Sequence, residues 1–589
     1  MSRFPSIKNV LKAAQKTVFR FPLEIVTAIT GTVFAIILNE LKYSDPDKEF
    51  YIKALMSCCL CLVLFLSVSL FFSAAKKNIL LRYATSLILG GLTTLFIFSF
   101  HKDFTDVEVQ QFFVLNIAFH LLVSFAGFLP KAYNQDEFWE FNKQLFLRIL
   151  TSVLYSIVLY CGLALAILAV DKLFNVEFYK NIYVHVFLVI TGIFNTTFFL
   201  SGVPETANND APLVLNYPKG LKNFTQYVLL PLISLYLVIL LCYETKILVT
   251  LSLPVGWVSY LVLVFAIFGI LSFLLVHPIA GENSNLWMRS FNRWFYFLLI
   301  PLLGLLFWAI LYRINLYGFT HERYYVFLLS IWLTVVVGYF LIQKNPKIKF
   351  IPISMCLAGL LSIAGPQSAD SVSKYSQLSR FESYMKFPAS KKLTFEEEKN
   401  LSSIVDFLNE NYGVEIMIPH AKTKLEALLK KEKTPSDDLI MEALGYTYVP
   451  YYATKATEDN QIYFAYYEDS DKVENIHGYD ISFRTSSNND FDCEKCTEIE
   501  GKTYSISTKG KEYGIALKIN GELIKLPIID FINKNGAFSV NSTDEKVTQV
   551  VENTKYKILI TYLNVNGEVK KGKKIIDDYQ IKLMIAIKK

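Results

Sequence analysis

Residues 22–365 hold a succession of apolar stretches of the length that crosses a bilayer, the last of them short, and none follows them. A helix needs about 20 mostly apolar residues to span roughly 30 Å of hydrocarbon, where it must satisfy its own backbone groups. The stretches lie near 22–40, 54–74, 79–100, 112–130, 149–170, 182–201, 226–243, 255–276, 294–312, 324–342 and 348–365. They predict an α-helical polytopic membrane protein of about eleven transmembrane helices, with a C-terminal soluble α+β domain. The first stretch carries Glu24 and the last is short; losing one makes the count even and moves the C-terminal domain to the other side. Composition agrees, with 53% hydrophobic residues and a mean hydropathy of +0.35, more apolar than a soluble chain of this length.

The net charge of +6 over 589 residues is too modest to imply nucleic acid. Its distribution says more. Residues 1–20 carry Arg3, Lys8, Lys12, Lys16 and Arg20 and no acid, with Phe4, Ile7, Val10, Leu11, Ala14 and Val18 between them at helical spacing. This predicts a basic amphipathic helix lying on the cytoplasmic membrane surface. No short apolar region with a cleavage site follows, so the pattern is not that of a signal peptide. Lys76, Lys77, Lys131, Lys143, Lys219, Lys222, Arg289, Arg293, Lys344, Lys347 and Lys349 fall in alternate loops. The loops between hold fewer cations and carry Asp45, Asp47, Glu49, Asp103, Asp106 and Glu108. The positive-inside rule puts the N-terminus in the cytoplasm, and an odd number of spans puts the C-terminal domain outside.

The organisation expected is a cytoplasmic helix at 1–20, a transmembrane bundle at 21–365, a polar Ser-rich linker at 366–392 and an extracytoplasmic domain at 393–589. Gly365-Pro366 breaks the last span. Thr394 with Glu397 is a capping box, opening a helix to about Asn409 with Leu401, Ile404, Val405 and Leu408 on one face. Thr434-Pro435 starts another helix and Gly445 stops it. Tyr446–Val449 and Gln461–Tyr467 read as strands. Asn520-Gly521 and Asn566-Gly567 read as hairpin turns, the former between the runs Ile515–Ile519 and Leu523–Leu526. Cys58, Cys59, Cys61, Cys161, Cys242 and Cys356 lie in spans and read as small apolar side chains. Cys493 and Cys496 are the soluble pair; with no second pair to complete a zinc site, a local disulfide is the favoured reading.

Polar residues inside spans are costly and need a reason. His120 and His185 fall well inside theirs, as interhelical hydrogen-bonding groups or as members of a proton relay. Glu24, Arg82 and Arg148 lie near span ends, where snorkelling accounts for them. The link Arg313-Ile-Asn-Leu-Tyr317-Gly318-Phe319-Thr320-His321-Glu322-Arg323-Tyr324 is the most distinctive segment. Gly318 suits a left-handed helix end, and Thr320 can cap the next helix. Arg313 and Arg323 run against the positive-inside trend and need carboxylates, phosphates or carbonyls. Glu322 and lipid headgroups are the obvious partners, making Arg313, Arg323 and Glu322 a candidate anion or headgroup site. His321-Glu322 lacks the second His of a zinc protease, since Tyr325 stands there, and neither a nucleophile elbow nor a phosphate loop is present. No catalytic residue, metal ligand set or cofactor is predicted.

The link 202–225 contains Pro204, Pro212 and Tyr217-Pro218-Lys219, and leads into a span with Leu229-Leu230-Pro231. Lys246, Pro254, Gly256 and Trp257 follow, with Trp257 suited to the interface. These pieces, with Tyr243 and above all Arg313 and Tyr317-Gly318-Phe319-Thr320-x-x-Arg323-Tyr324, resemble a bacterial family of polytopic membrane proteins, the domain-of-unknown-function family numbered 4153. The resemblance covers most of the membrane region and marks Tyr217, Pro218, Pro231, Pro254, Gly256, Trp257, Tyr317, Gly318 and Thr320 as motif positions. The family often has an acid directly after the Thr, where this chain has His321 and then Glu322. The resemblance implies a bacterial inner membrane and no established activity.

The expectation is a multi-pass integral membrane protein of the bacterial cell envelope, a non-enzymatic sensor or scaffold with an outward-facing domain. Its partners are the lipid bilayer and an envelope protein or lipid. A transporter or lipid-handling protein is the first alternative, although no two-fold repeat is visible. A membrane-embedded transferase on a lipid-linked or envelope substrate, using His120, His185, Arg313 and Arg323, is the second.

Overall fold

The computed structural model describes residues 7–42, 45–130, 134–205, 214–250, 257–278, 286–388, 391–430, 432–451, 453, 462–466, 475–487, 491–511, 514–530, 549–570 and 573–588. It opens with α1 (Ile7–Arg20), then α2 (Pro22–Glu40), α3 (Lys48–Ala74), α4 (Ile79–Phe98), α5 (Asp106–Ala126) and the long α6 (Gln135–Phe174). α7 (Ile182–Val189) and α8 (Asn195–Ser201) form one helix through a π-helical turn at Ile190–Phe194. α9 (Lys219–Phe224) and α10 (Leu230–Thr250) are joined likewise through Thr225–Leu229. α11 (Trp257–Val276), α12 (Leu286–Tyr317), α13 (His321–Ile342) and α14 (Phe350–Ile363) follow. Then come α15 (Ala369–Met385), α16 (Phe395–Tyr412), α17 (Ile418–Leu429) and α18 (Asp437–Leu444).

Among the described residues, nine helices are long and apolar enough to cross a membrane. Two shorter apolar stretches, Leu261–Val276 within α11 and Phe350–Ile363, occupy the remaining expected positions. The latter would reach only about 21 Å at 1.5 Å per residue, short of the hydrocarbon thickness. Large apolar side chains stay exposed along the spans, such as Leu154, Val158 and Leu165 of α6. Lipid is the solvent that suits such a surface. Pro231 lacks an N–H, and its ring would crowd the carbonyl four residues back, at Tyr227. The π-turn Thr225–Leu229 widens the helix at that residue.

Two compact units divide the chain, Met1–Tyr448 and Val449–Lys589. The C-terminal region contains helices and strands as expected, but its helices α15–α18 belong to the same unit as the membrane helices. The Ser-rich segment expected as a linker contains α15, capped by Ser368, whose side chain accepts from the Ser371 N–H. Its polar composition reads as a linker, yet Ser373 and Gln377 are buried. The capping box of Thr394 and Glu397 opens α16, and Leu401, Ile404, Val405 and Leu408 join Phe381, Met417, Leu425 and Ile440 in one small core. Gly445 ends α18 in the left-handed conformation. Tyr446–Val449, expected as a strand, is not one. The Tyr446 N–H turns back to the Met441 carbonyl, and Tyr446 and Tyr448 pack on the helical core.

In the second unit, β1 (Ile462–Tyr466), β2 (Ile481–Ser486), β7 (Gln549–Glu552), β8 (Tyr556–Lys570) and β9 (Lys573–Ile587) form one sheet, ordered β1-β8-β9-β2 with β7 also on β8. The strands β3 (Asp492–Ile499), β4 (Lys502–Lys511), β5 (Gly514–Ile519) and β6 (Glu522–Leu526) form an antiparallel meander. Ile506, Leu517 and Leu526 of one sheet share a core with Ile558, Ile581 and Leu583 of the other. Asn520-Gly521 makes the β5–β6 turn, both residues at positive φ. Asn566-Gly567 does not make a turn. It lies inside β8, paired to Asp578 and Ile576 of β9, where the register shifts. Glycine in a strand marks a bulge as readily as a turn, and the strand here runs on to Lys570.

Candidate functional site

The α12–α13 link builds the densest polar junction of the first unit. α12 ends at Tyr317, and Gly318 takes φ +71 to turn the chain. A helix end leaves carbonyls without intrahelical partners. Here side chains from two directions supply them. Arg323, in the first turn of α13, donates through Nη1 to the carbonyls of Tyr317 at 3.1 Å and Gly318 at 3.0 Å. From α15, Gln377 Nε2 donates to the carbonyls of Tyr317 at 3.0 Å and Phe319 at 2.7 Å. Arg380 Nη2 donates to the Leu316 carbonyl at 2.6 Å, and the Phe319 N–H donates to Ser376 Oγ at 2.9 Å. The positive side chains also meet the negative end of the α12 dipole. Tyr324 adds a hydrogen bond to the Gln367 carbonyl at 2.6 Å. Thr320 occupies the capping position of α13 but its side chain makes no capping hydrogen bond, contrary to expectation.

His321, 3% exposed, is buried against α16. Its Nε2 lies 3.2 Å from the Tyr412 hydroxyl, and its ring centroid lies 5.0 Å from that of Phe407. Tyr412 in turn donates to Asp370 Oδ1 at 2.8 Å. Burial, and then the adjacent Asp370, hold the Tyr412 hydroxyl well above the usual phenol range. Glu322, expected as the partner of the arginines, is exposed and makes no ion pair with any described residue; it acts on Arg323 only at longer range. Arg313 makes no hydrogen bond or ion pair to any described residue. It lies close enough to Arg323 to repel it, as does Arg380.

The other candidates lie apart from this junction. His120 faces outward and bonds the Asn116 carbonyl of its own helix at 2.8 Å, so it links no pair of helices. His185 Nε2 does reach another helix, at 2.6 Å from Glu40 Oε1 of α2, beside Tyr179 and Asn181, which also bond Glu40. No hydrogen bond joins His120, His185, Arg313 and Arg323 to one another. Tyr217 stacks on Trp139 with centroids 5.1 Å apart and donates to the Leu275 carbonyl at 3.0 Å, and Pro218 precedes α9. Pro254 and Gly256 lie outside the described residues, as does the side chain of Trp257. Cys493 and Cys496 are free thiols; Cys496 Sγ donates to the Cys493 carbonyl at 3.0 Å within a register shift of β3.

Two buried ion pairs escaped the sequence reading. Glu24 is 0% exposed, so snorkelling does not account for it. It accepts from Ser69 and lies 3.6 Å from Arg82, which also donates to the Arg20 carbonyl at 3.0 Å. Arg148 also turns inward, donating to the Phe198 carbonyl at 2.8 Å and Ser201 Oγ at 2.7 Å. Lys143 bonds Glu140 at 2.7 Å and the Asn216 carbonyl at 2.7 Å, while the Asn216 N–H donates to Glu140 Oε2 at 3.0 Å. Glu140 and Lys143, one helical turn apart, were the available signal. Among the described residues no cluster suited to a metal ion occurs.

The sequence model of a family described as "Domain of unknown function (DUF4153)" matches residues 60–385. A protein of Pasteurella multocida (strain Pm70), described as uncharacterized, is 27% identical over 240 residues, covering 40% of this chain. The match spans 39% of that relative's length. No solved structure matches the chain significantly.

Proposed function

Because this chain belongs to the DUF4153 family, whose description assigns no activity, we propose its function from geometry: it is a non-enzymatic sensor or scaffold of the bacterial cell envelope. The reading places it in the cytoplasmic (inner) membrane, N-terminus in the cytoplasm and C-terminal residues outside, as the Lys and Arg distribution favours. The observation that carries it is the fastening of the α12–α13 hairpin to α15 by Gln377, Arg380 and Ser376. These bonds tie the family's most distinctive motif to the helices that lead out of the bundle. A load or ligand felt by the extramembrane helices then reaches the hairpin through hydrogen bonds to backbone, without any reactive group.

The test is affinity capture with the tagged full-length protein in nanodiscs, wild type beside Gln377→Ala/Arg380→Ala. A specific envelope component recovered with the wild type and reduced in the variant supports the reading; none recovered with either counts against it. Transport or lipid handling is the second reading, favoured by the unpartnered Arg313. Proteoliposome flux equal to that of empty vesicles would remove transport. A transferase is the weakest reading, because its four candidate residues are not bonded together; an altered envelope lipid or glycan profile on deletion would revive it.

A further inference from the structure

We propose that Arg313, with Arg323 and Arg380 behind it, forms a binding site for the phosphate of an anionic phospholipid headgroup. Three guanidinium groups meet the end of α12, and no described carboxylate pairs with any of them. Glu322 is the one acid that offsets Arg323, and it does so from a distance. Arg323 and Arg380 are partly consumed by the carbonyls of 315–318. Arg323 spends only Nη1 on them, which leaves Nη2 and Nε, and Arg380 Nε is buried with no partner. Arg313 spends nothing, although it is only partly exposed. A half-buried guanidinium without a counter-charge is costly unless an anion completes it. A phosphate diester or monoester matches the planar fork of Arg313 with two oxygens, and its charge relieves the repulsion from Arg323.

The surroundings favour a lipid over free phosphate. Leu311 is 48% exposed, Tyr312 51%, Leu316 40% and Tyr317 46%, all on the same last turns of α12. An apolar and aromatic rim beside a cation is the pattern of a side chain placed at headgroup depth, with acyl chains against the Leu and Tyr surfaces. The site stands whether or not the protein is a scaffold, since it needs only a bilayer surface at the hairpin.

The experiment is native mass spectrometry of the full-length protein released from nanodiscs of phosphatidylglycerol and phosphatidylcholine. Wild type is compared with Arg313→Ala, Arg313→Lys and Glu322→Gln. The expected result is phosphatidylglycerol retained by the wild type and reduced about tenfold or more in Arg313→Ala, the loss of one charge-assisted pair. Arg313→Lys, which keeps the charge and loses the fork, should lie between them, and Glu322→Gln should retain more lipid than the wild type. The Glu322 variant also keeps the proposal testable should Arg313→Ala fail to fold. A second arm adds inorganic phosphate: retained phosphate with no lipid assigns the same site to a soluble anion and overturns the lipid assignment. Equal retention in wild type and Arg313→Ala, or none in any sample, overturns the site itself.

Discussion

The side-chain amide of Gln377 stands 2.7 Å from the carbonyl of Phe319, 58 residues away in the chain. With its second bond to Tyr317, one buried amide holds both sides of the turn at Gly318. The motif at this hairpin is therefore completed by a helix that the motif does not contain.

Gln377→Ala should cost about 1–3 kcal/mol, because it strands the Phe319 carbonyl in a buried place and leaves the Tyr317 carbonyl to Arg323 alone. Hydrogen exchange across 315–325 and 369–385 is the measurement. Faster exchange in both segments together is the expected outcome, and acceleration in only one would mean that they are not fastened through Gln377.

Gly318→Ala tests the turn itself. At φ +71 a side chain costs about 1–2 kcal/mol. A Cβ would also meet Arg380 Cδ at 2.7 Å. The variant should melt below the wild type, and adding Arg380→Ala should cost less than it does alone, since the clash and the bond share one side chain. Strict additivity would contradict this.

Arg82→Met should be strongly destabilising, by about 3–5 kcal/mol, because it leaves the Glu24 carboxylate buried without its ion pair. Glu24→Gln on that background should recover most of the loss. Thermal unfolding in nanodiscs reads both, and a double variant as unstable as Arg82→Met alone would show that the packing of Arg82, not its charge, matters.

Burial and then the neighbouring Asp437 push the Asp406 carboxyl up to about 6 from its ordinary 3.8. The folded chain therefore binds a proton more tightly than the unfolded chain between those values. Stability contributed by this group is present below the window and falls as pH rises through it. Asp406→Asn should remove the fall and leave the protein more stable at neutral pH by about 1 kcal/mol, after discounting for solvent screening of a partly exposed group. Exchange rates along 395–412 measured on both sides of the window decide it; parallel pH profiles for variant and wild type would refute it.

Burial, with Cys493 adjacent, pushes the Cys496 thiol up to about 11. Its alkylation should be slow at neutral pH and rise about tenfold per pH unit toward that value. With an impermeant maleimide on intact cells, labelling of Cys493 or Cys496 places the second unit outside the membrane. No labelling of either in intact cells, while both react at the same pH once the cells are permeabilised, would place it inside.

Hydropathy made the spans legible because lipid imposes one length and one polarity on every crossing. Thr394, Glu397, Gly445 and Asn520-Gly521 were legible because caps and tight turns are local chemistry. Asn566-Gly567 misled because the same pair suits a bulge, and only the partner strand decides between them. Tyr446–Val449 looked like a strand because aromatic residues also pack on helices. At the hairpin, Gly318 and the need of Arg323 for carbonyls could be read from the segment. The donors Gln377 and Arg380 could not, since they come from a polar stretch whose composition resembles a linker. Glu24 and Arg82 looked like peripheral charges because their pairing joins helices distant in sequence.

The π-turn at Ile190–Phe194 amounts to one residue more than an α-helix needs, so it acts as a phase shifter. Everything after it is rotated by about 100° relative to an uninterrupted helix. That rotation sets Asn195 toward Ser156, at 3.3 Å, and the Phe198 ring 4.0 Å below Arg148. Deleting a single residue in the turn would leave a continuous, more regular helix with every hydrogen bond of its backbone intact. Its side chains would face the wrong neighbours: a sequence improved as a helix and broken as part of a bundle.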